Sequence, residues 1–149
     1  MPIFDTHAHY DSGGFNADRD QVLSALPTAG VGLVVDPGCE LESSQAATAL
    51  AERYPFVYAA VGIHPSDCAG TGEAEFAALR KLCGHEKVVA VGEIGLDYYW
   101  DKESHEEQKH WFVRQLGLAR ELDMPVNIHS REAAADTMEI LKVHGRGMK

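Results

Sequence analysis

The chain has no uninterrupted apolar run near the ~20 residues that cross a bilayer, so no membrane partner is expected for its 149 residues. It also has no GxGxxG, GxxxxGK[ST] or GxSxG motif, which argues against dinucleotide, nucleoside-triphosphate and serine-hydrolase chemistry. Cysteine is scarce. Cys39, Cys68 and Cys83 are an odd set at spacings that match no zinc knuckle, as reduced thiols would be, and none offers a site. Basic residues are few, with 13 Lys and Arg against 23 Asp and Glu for a net charge of -10. That balance argues against a non-specific basic nucleic-acid binder but not against an enzyme that holds phosphate through metal ions. The opening MPIFDTHAHY carries no basic leader region, so a cytoplasmic location is the default expectation. With 45% hydrophobic and 24% charged residues, disorder, collagen-like structure and a coiled coil are poor readings, and a single domain over 1–149 is expected.

What is present is a regular alternation of short Val- and Ile-rich runs with amphipathic stretches. Strands are predicted at Ile3 to Thr6, Val31 to Asp36, Val57 to Ile63, Val88 to Glu93 and Val126 to His129. Helices are predicted over Asp18 to Ala29, Ser43 to Arg53, Glu73 to Leu82, Glu103 to Leu122 and Glu132 to Val143, with Pro27 weakening the end of the first. Ser43 or Ser44, Thr71 and Ser130 are the expected caps of the second, third and fifth. Apolar residues on consecutive strand positions suit parallel strands buried on both faces. The sequence therefore reads as an α/β fold of about five βα units with right-handed crossovers.

The polar exceptions recur at one place in each unit, the C-terminal end of the strand, where ligand sites form in parallel α/β folds. His7 and His9 follow strand one, Asp36 ends strand two, His64 follows strand three, Glu93 ends strand four and His129 ends strand five. In an extended segment His7 and His9 share a side, as two ligands of one cation would, although surface histidines beside a turn would look the same. Asp5 shares that side and could orient an imidazole or act as a third ligand. Glu93 closes the apolar run VVAVGEIG, where an unpaired carboxylate would be costly, so it needs a metal or a basic partner. His129 in PVNIHS follows the same logic. His64 could contact a substrate phosphate or only shape its loop. Arg131 could hold an anion or pair with Glu132 or Asp136. Asp97 and Tyr98 could rim the site, and Tyr98, Tyr99 and Trp100 could stack bases or pack the loop. Asp11 says little alone. His85, His105, His110 and His144 fall on helices or their ends and read as surface residues.

Taken together, DTHAH (5–9), VGIHP (61–65), VGEIGLDYYW (91–100) and PVNIHSREA (125–133) resemble the TatD family of metal-dependent deoxyribonucleases. The likeness runs in order along the whole chain and includes FVRQLGLARELDMPV (112–126). It implies a TIM barrel related to the amidohydrolases, hydrolysis of nucleic-acid phosphodiesters, typically DNA, and a divalent metal, two ions of magnesium, manganese or zinc. On this resemblance His7 and His9 bind one metal, Glu93 bridges two, and His129 binds the second. Glu93, His64, Asp97 and Arg131 occupy positions in or near the family's active site. Two such ions would activate water and neutralise the phosphate as it reacts. A full barrel takes eight units and typically ~250 residues, so five units imply an incomplete barrel, shortened at its C-terminal side and lacking a later histidine and aspartate of the family's metal shell. Open sheet edges then predict self-association. A hydrolase of C–N or lactone bonds and an inactive, weakly metal-binding fragment are the alternatives.

Overall fold

The computed structural model describes residues 1–100 and 104–148. Five strands, β1 (Ile3–Asp5), β2 (Val31–Pro37), β3 (Val57–Val61), β4 (Val88–Asp97) and β5 (Val126–Arg131), alternate with helices α1 (Arg19–Ala25), α2 (Leu41–Arg53), α3 (Glu73–Leu82), α4 (His105–Glu121) and α5 (Ala134–His144). Short 3-10 turns sit at Gly13–Phe15 and Pro65–Asp67. All four strand pairings are parallel and the sheet order is β1-β2-β3-β4-β5. The sheet curls into a half-barrel. Asn127 on β5 reaches the segment after β1, donating from Nδ2 to the Thr6 carbonyl at 2.9 Å, although three strands lie between them in the sheet.

One large core holds sheet and helices together through Leu23, Leu50, Ile94, Leu96, Phe112 and Leu116. Val34 and Ala59 belong to it, whereas their sequence neighbours Val35 and Ala60 pack with Ala90 in a second, smaller cluster. Adjacent strand residues point to opposite faces, so both faces of the central strands are covered, as their continuous apolar sequence requires. The face of α4 turned to the core buries Trp111, Gln115 and Leu118, and Phe112 and Leu116 broaden it. Among the described residues no helix is long and apolar enough to cross a membrane.

Several boundaries differ from expectation for local reasons. Helix α1 ends at Ala25, two residues before Pro27, and Gly30 takes φ +95° to turn the chain into β2. Ser43 lies inside α2 rather than capping it, and its Oγ accepts the backbone N–H groups of Cys39 and Glu40, so the helix opens two residues earlier than expected. Gly72, not Thr71, precedes α3, and its N–H is taken by Glu75. Ser130 remains in β5 and bonds Thr137 at 3.0 Å, so α5 starts only at Ala134. Ser104 caps α4, its Oγ accepting the Glu107 N–H; the expected helix start at Glu103 lies outside the described residues. Strands β4 and β5 outrun their expected ends because they remain paired through Gly95↔His129 and Asp97↔Arg131. Gly95, with no Cβ, lets the two backbones come close.

Candidate metal centre

Parallel order brings the strand ends to one rim, and there Glu93 gathers the histidines. Its Oε2 lies 3.2 Å from His7 Nε2 and 3.4 Å from His9 Nε2, and these two nitrogens are 3.2 Å apart. Its other oxygen, Oε1, is 2.9 Å from His129 Nδ1. One carboxylate thus faces two histidine sets with its two oxygens. Donors bound to one divalent ion at about 2.0–2.2 Å are separated by roughly 3.0–3.5 Å, so the triangle of His7, His9 and Glu93 has the spacing and donor chemistry of a metal shell. His7, His9 and Glu93 form one compact donor group, and His64, Glu93 and His129 form another.

Each donor is oriented from behind. His7 Nδ1 bonds Asn127 Oδ1 at 2.8 Å, which places the ring proton on Nδ1 and leaves the Nε2 lone pair facing Glu93. His129 Nε2 bonds Asp97 Oδ2 at 2.8 Å, and this leaves Nδ1 toward Glu93. The second oxygen of Asp97, Oδ1, accepts the N–H groups of Tyr99 and Trp100, both at 3.0 Å. Asp97 is buried, and Gln108 clamps its backbone with bonds of 2.8 and 3.0 Å; Gln115, two turns along α4, clamps Ile63 in the same way at 2.7 and 3.0 Å. His64 Nδ1 accepts the Ser66 N–H at 3.1 Å, so the neutral ring carries its proton on Nε2, and the ring sits edge to face with His129 at 4.3 Å.

The electrostatics follow from this crowding. Burial pulls the Glu93 carboxyl upward, but hydrogen bonds from His129 and His9 prevail and hold it far below the ordinary carboxylate range. The same bond to Glu93 raises His9 and His129 against the opposing effect of burial. His64, by contrast, is lowered by burial and by the neighbouring charge of His129. A cavity of about 470 Å³ opens above these groups and is also lined by Cys39, Asp97 and Trp100. Cys39 stays a neutral thiol there, because burial and the Glu93 charge push it up to about 12.

Other residues divide as follows. Asp5 accepts the backbone N–H of His7 at 3.2 Å and so shapes the turn that aims the ring. Arg131 is not paired with Asp136, which binds Lys109 at 2.8 Å and the Tyr98 hydroxyl at 2.7 Å; its guanidinium lies 3.9 Å from the Tyr99 ring centre. Tyr98 packs the loop, stacked on His105 at 3.6 Å. His85 pairs with Glu52, and His110 lies against Trp111. Sequence reasoning missed Asn127, Gln108 and Gln115. Asn127 was detectable as a polar residue two positions before His129 on the same strand, but the glutamines look like ordinary polar helix residues.

Asp36 has a neighbour that the sequence did not reveal. Its Oδ2 accepts the Asp11 N–H at 3.0 Å, while Oδ1 of each carboxyl is buried without a hydrogen-bond partner among the described residues. Burial, then the Asp11 charge, pushes Asp36 up to about 9. An unfolded aspartate ionises near ~3.9. Stability from this group is therefore complete below about pH 4 and is lost as pH rises toward 9, because only the unfolded chain releases the proton. Asp36→Asn is expected to gain roughly 2 kcal/mol at pH 8 and little at pH 4. Urea unfolding at the two pH values measures it, and an equal change at both would contradict the assignment.

An α/β half-barrel whose strand ends carry a carboxylate between histidines is the architecture of metal-dependent hydrolases. The chain belongs to the family described as TatD related DNase, which matches residues 4–148. It is 40% identical over 143 residues to the Bacillus subtilis uncharacterized metal-dependent hydrolase YabD, covering 96% of this chain and 56% of that one. It is 38% identical over 139 residues to the 3'-5' ssDNA/RNA exonuclease TatD of Cronobacter sakazakii, covering 93% and 53%. The crystal structure of YjjV, a TatD homolog from Escherichia coli K12, superposes with a TM-score of 0.88 at 38% identity, over 95% of this chain and 56% of that one. The chain thus spans about half the length of the curated relatives it matches.

Proposed function

We propose that this chain is a divalent-metal-dependent phosphodiesterase acting on single-stranded nucleic acid, with DNA as a substrate. The observation that carries this reading is the division of Glu93, one oxygen toward His7 and His9 and the other toward His129. His7, His9 and Glu93 would hold one ion, and Glu93 with His129 a second. Ions held there supply positive charge for a bound phosphate and acidify water, which offsets the acidity of the chain as a whole. The protein's own groups do the rest. Asp97 keeps His129 in the orientation that presents Nδ1, and Asn127 does the same for His7. His64, neutral and with its proton on Nε2, is suited to donate a hydrogen bond to a phosphate oxygen or the leaving oxygen. The names of the relatives, a metal-dependent hydrolase and a ssDNA/RNA exonuclease, support the same class.

An end-labelled single-stranded oligonucleotide incubated with the chain and Mg²⁺, Mn²⁺ or Zn²⁺ tests the proposal. Shortening should stop in EDTA, and His129→Ala should lower the rate by at least ~100-fold. Equal cleavage with EDTA, or by the variant, would remove the site from the reaction. Lactone hydrolysis without strand cleavage would assign the site to the C–N and lactone hydrolases instead.

A further inference from the structure

Two aromatic side chains beside the candidate metal centre are held in place yet left uncovered. Tyr99 is 49% and Trp100 56% exposed, although Asp97 fixes both their backbone N–H groups. Loop packing does not explain them, because Tyr98 already fills that role against His105 and Asp136. Their rings meet edge to face, with centres 4.9 Å apart and planes at 85°, so the pair is not stacked face on face. The Arg131 guanidinium lies 3.9 Å from the Tyr99 ring centre and 5.4 Å from that of Trp100. A stacked arginine keeps its N–H edge available to an anion. Trp100 also lines the same 470 Å³ cavity as His9, His64, Glu93 and His129.

We propose that Tyr99, Trp100 and Arg131 form a nucleobase subsite, in which an unpaired base of a single strand stacks on the indole and Arg131 takes an adjoining phosphate. This rests on the phosphodiesterase reading above and names the residues that would recognise its single-stranded substrate. A base in a duplex is already stacked and has no free face, so the subsite selects single strands. Stacking recognises a π-face that all bases share, so little base preference follows. Asp97 links the subsite to the metal centre, since one oxygen holds the backbone that carries the aromatics and the other holds His129.

Tryptophan fluorescence reads the subsite directly, because the second tryptophan, Trp111, is only 5% exposed. The chain is titrated in EDTA, where no turnover occurs, with a thymidine tetranucleotide and with a tetrahydrofuran abasic strand of the same length and charge. The base-bearing strand should quench emission and bind about 10-fold more tightly. A competition assay with a labelled tetranucleotide should show that Trp100→Ala abolishes this preference and that Trp100→Phe retains part of it. With metal present, Trp100→Ala should raise KM about 10-fold on the base-bearing strand and leave kcat within about threefold. Equal binding of the two strands, or a preference that survives Trp100→Ala, would overturn the subsite even where the strand is cleaved. Base-dependent binding without metal-dependent cleavage would keep the subsite and overturn the hydrolase reading.

Discussion

Glu93→Gln is expected to give a folded protein that no longer gains thermal stability from divalent metal. In the wild type, an ion at about 100 times its Kd stabilises the fold by roughly 2.7 kcal/mol, which raises Tm by about 5–10 °C for a chain of this size. Glutamine keeps the volume of Glu93 but removes the charge that faces all three histidines, so the variant should shift by less than about 1 °C. Its metal content should fall in parallel, and strand cleavage should drop by at least ~1000-fold. The metal-free proteins should differ as well, in a pH-dependent way. His9 and His129 are raised by Glu93, so their contribution is complete below about pH 6.5 and is lost as pH rises through their folded values. Glu93 itself is lowered, so its contribution is present above about pH 4.5 and is lost only in strong acid. Wild-type stability from the cluster is therefore greatest between about pH 5 and 6.5, and Glu93→Gln should flatten that maximum. Calorimetry with and without Mn²⁺, together with elemental analysis, measures each part. A variant that retains metal and the full Tm shift would place the ion elsewhere, with His9, Asp11 and Asp36 as the next donor group.

Gly95→Ala should be more damaging to the fold than any change of comparable size on the surface. Gly95 has φ +145°, a conformation that L side chains rarely adopt, and a Cβ built there would lie 1.9 Å from the His129 carbonyl oxygen. The obstacle is backbone of the paired strand and cannot rotate away, so β5 must move off β4 at the residue that faces Glu93. A loss of more than ~3 kcal/mol is expected, with a Tm lower by roughly 6–12 °C or more. Metal affinity should fall even in protein that remains folded, because His129 moves with the strand. Gly117→Ala is the control. That glycine lies in α4 with open space around its Cβ position, and alanine should be neutral or stabilising by up to ~1 kcal/mol. A wild-type Tm for Gly95→Ala would show that the two strands do not approach as described.

The parts of the site that were legible in the sequence share a simple signature. His7, His9, His64, Glu93 and His129 are polar residues next to short apolar runs, and in a parallel fold all such ends lie on one rim. The orienting groups carry no such mark, because each works across distance in the chain. Asn127 bonds His7 from 120 residues away, Gln115 holds Ile63 from 52 and Asp36 meets Asp11 from 25. Nothing local in the sequence says which strand end a helical glutamine clamps, as Gln108 does at Asp97 and Gln115 at Ile63. Two helix starts differ from expectation for a related reason, since the Ser43 hydroxyl accepts the preceding Glu40 N–H and that of Ser130 bonds Thr137 instead of capping a first turn.

By itself, then, the order of apolar runs and breakers determined the number of βα units, their parallel direction and the kind of side chain at each strand end, because burial and chain length act locally and repeat with each unit. Only the tertiary structure decided that Glu93 turns one oxygen to His7 and His9 and the other to His129, that Asp97 stands behind His129, and that Tyr99 and Trp100 stay open while Tyr98 is packed. Those outcomes depend on how far the sheet curls and how closely β4 and β5 approach at Gly95, and they are set by packing between residues that no local pattern connects.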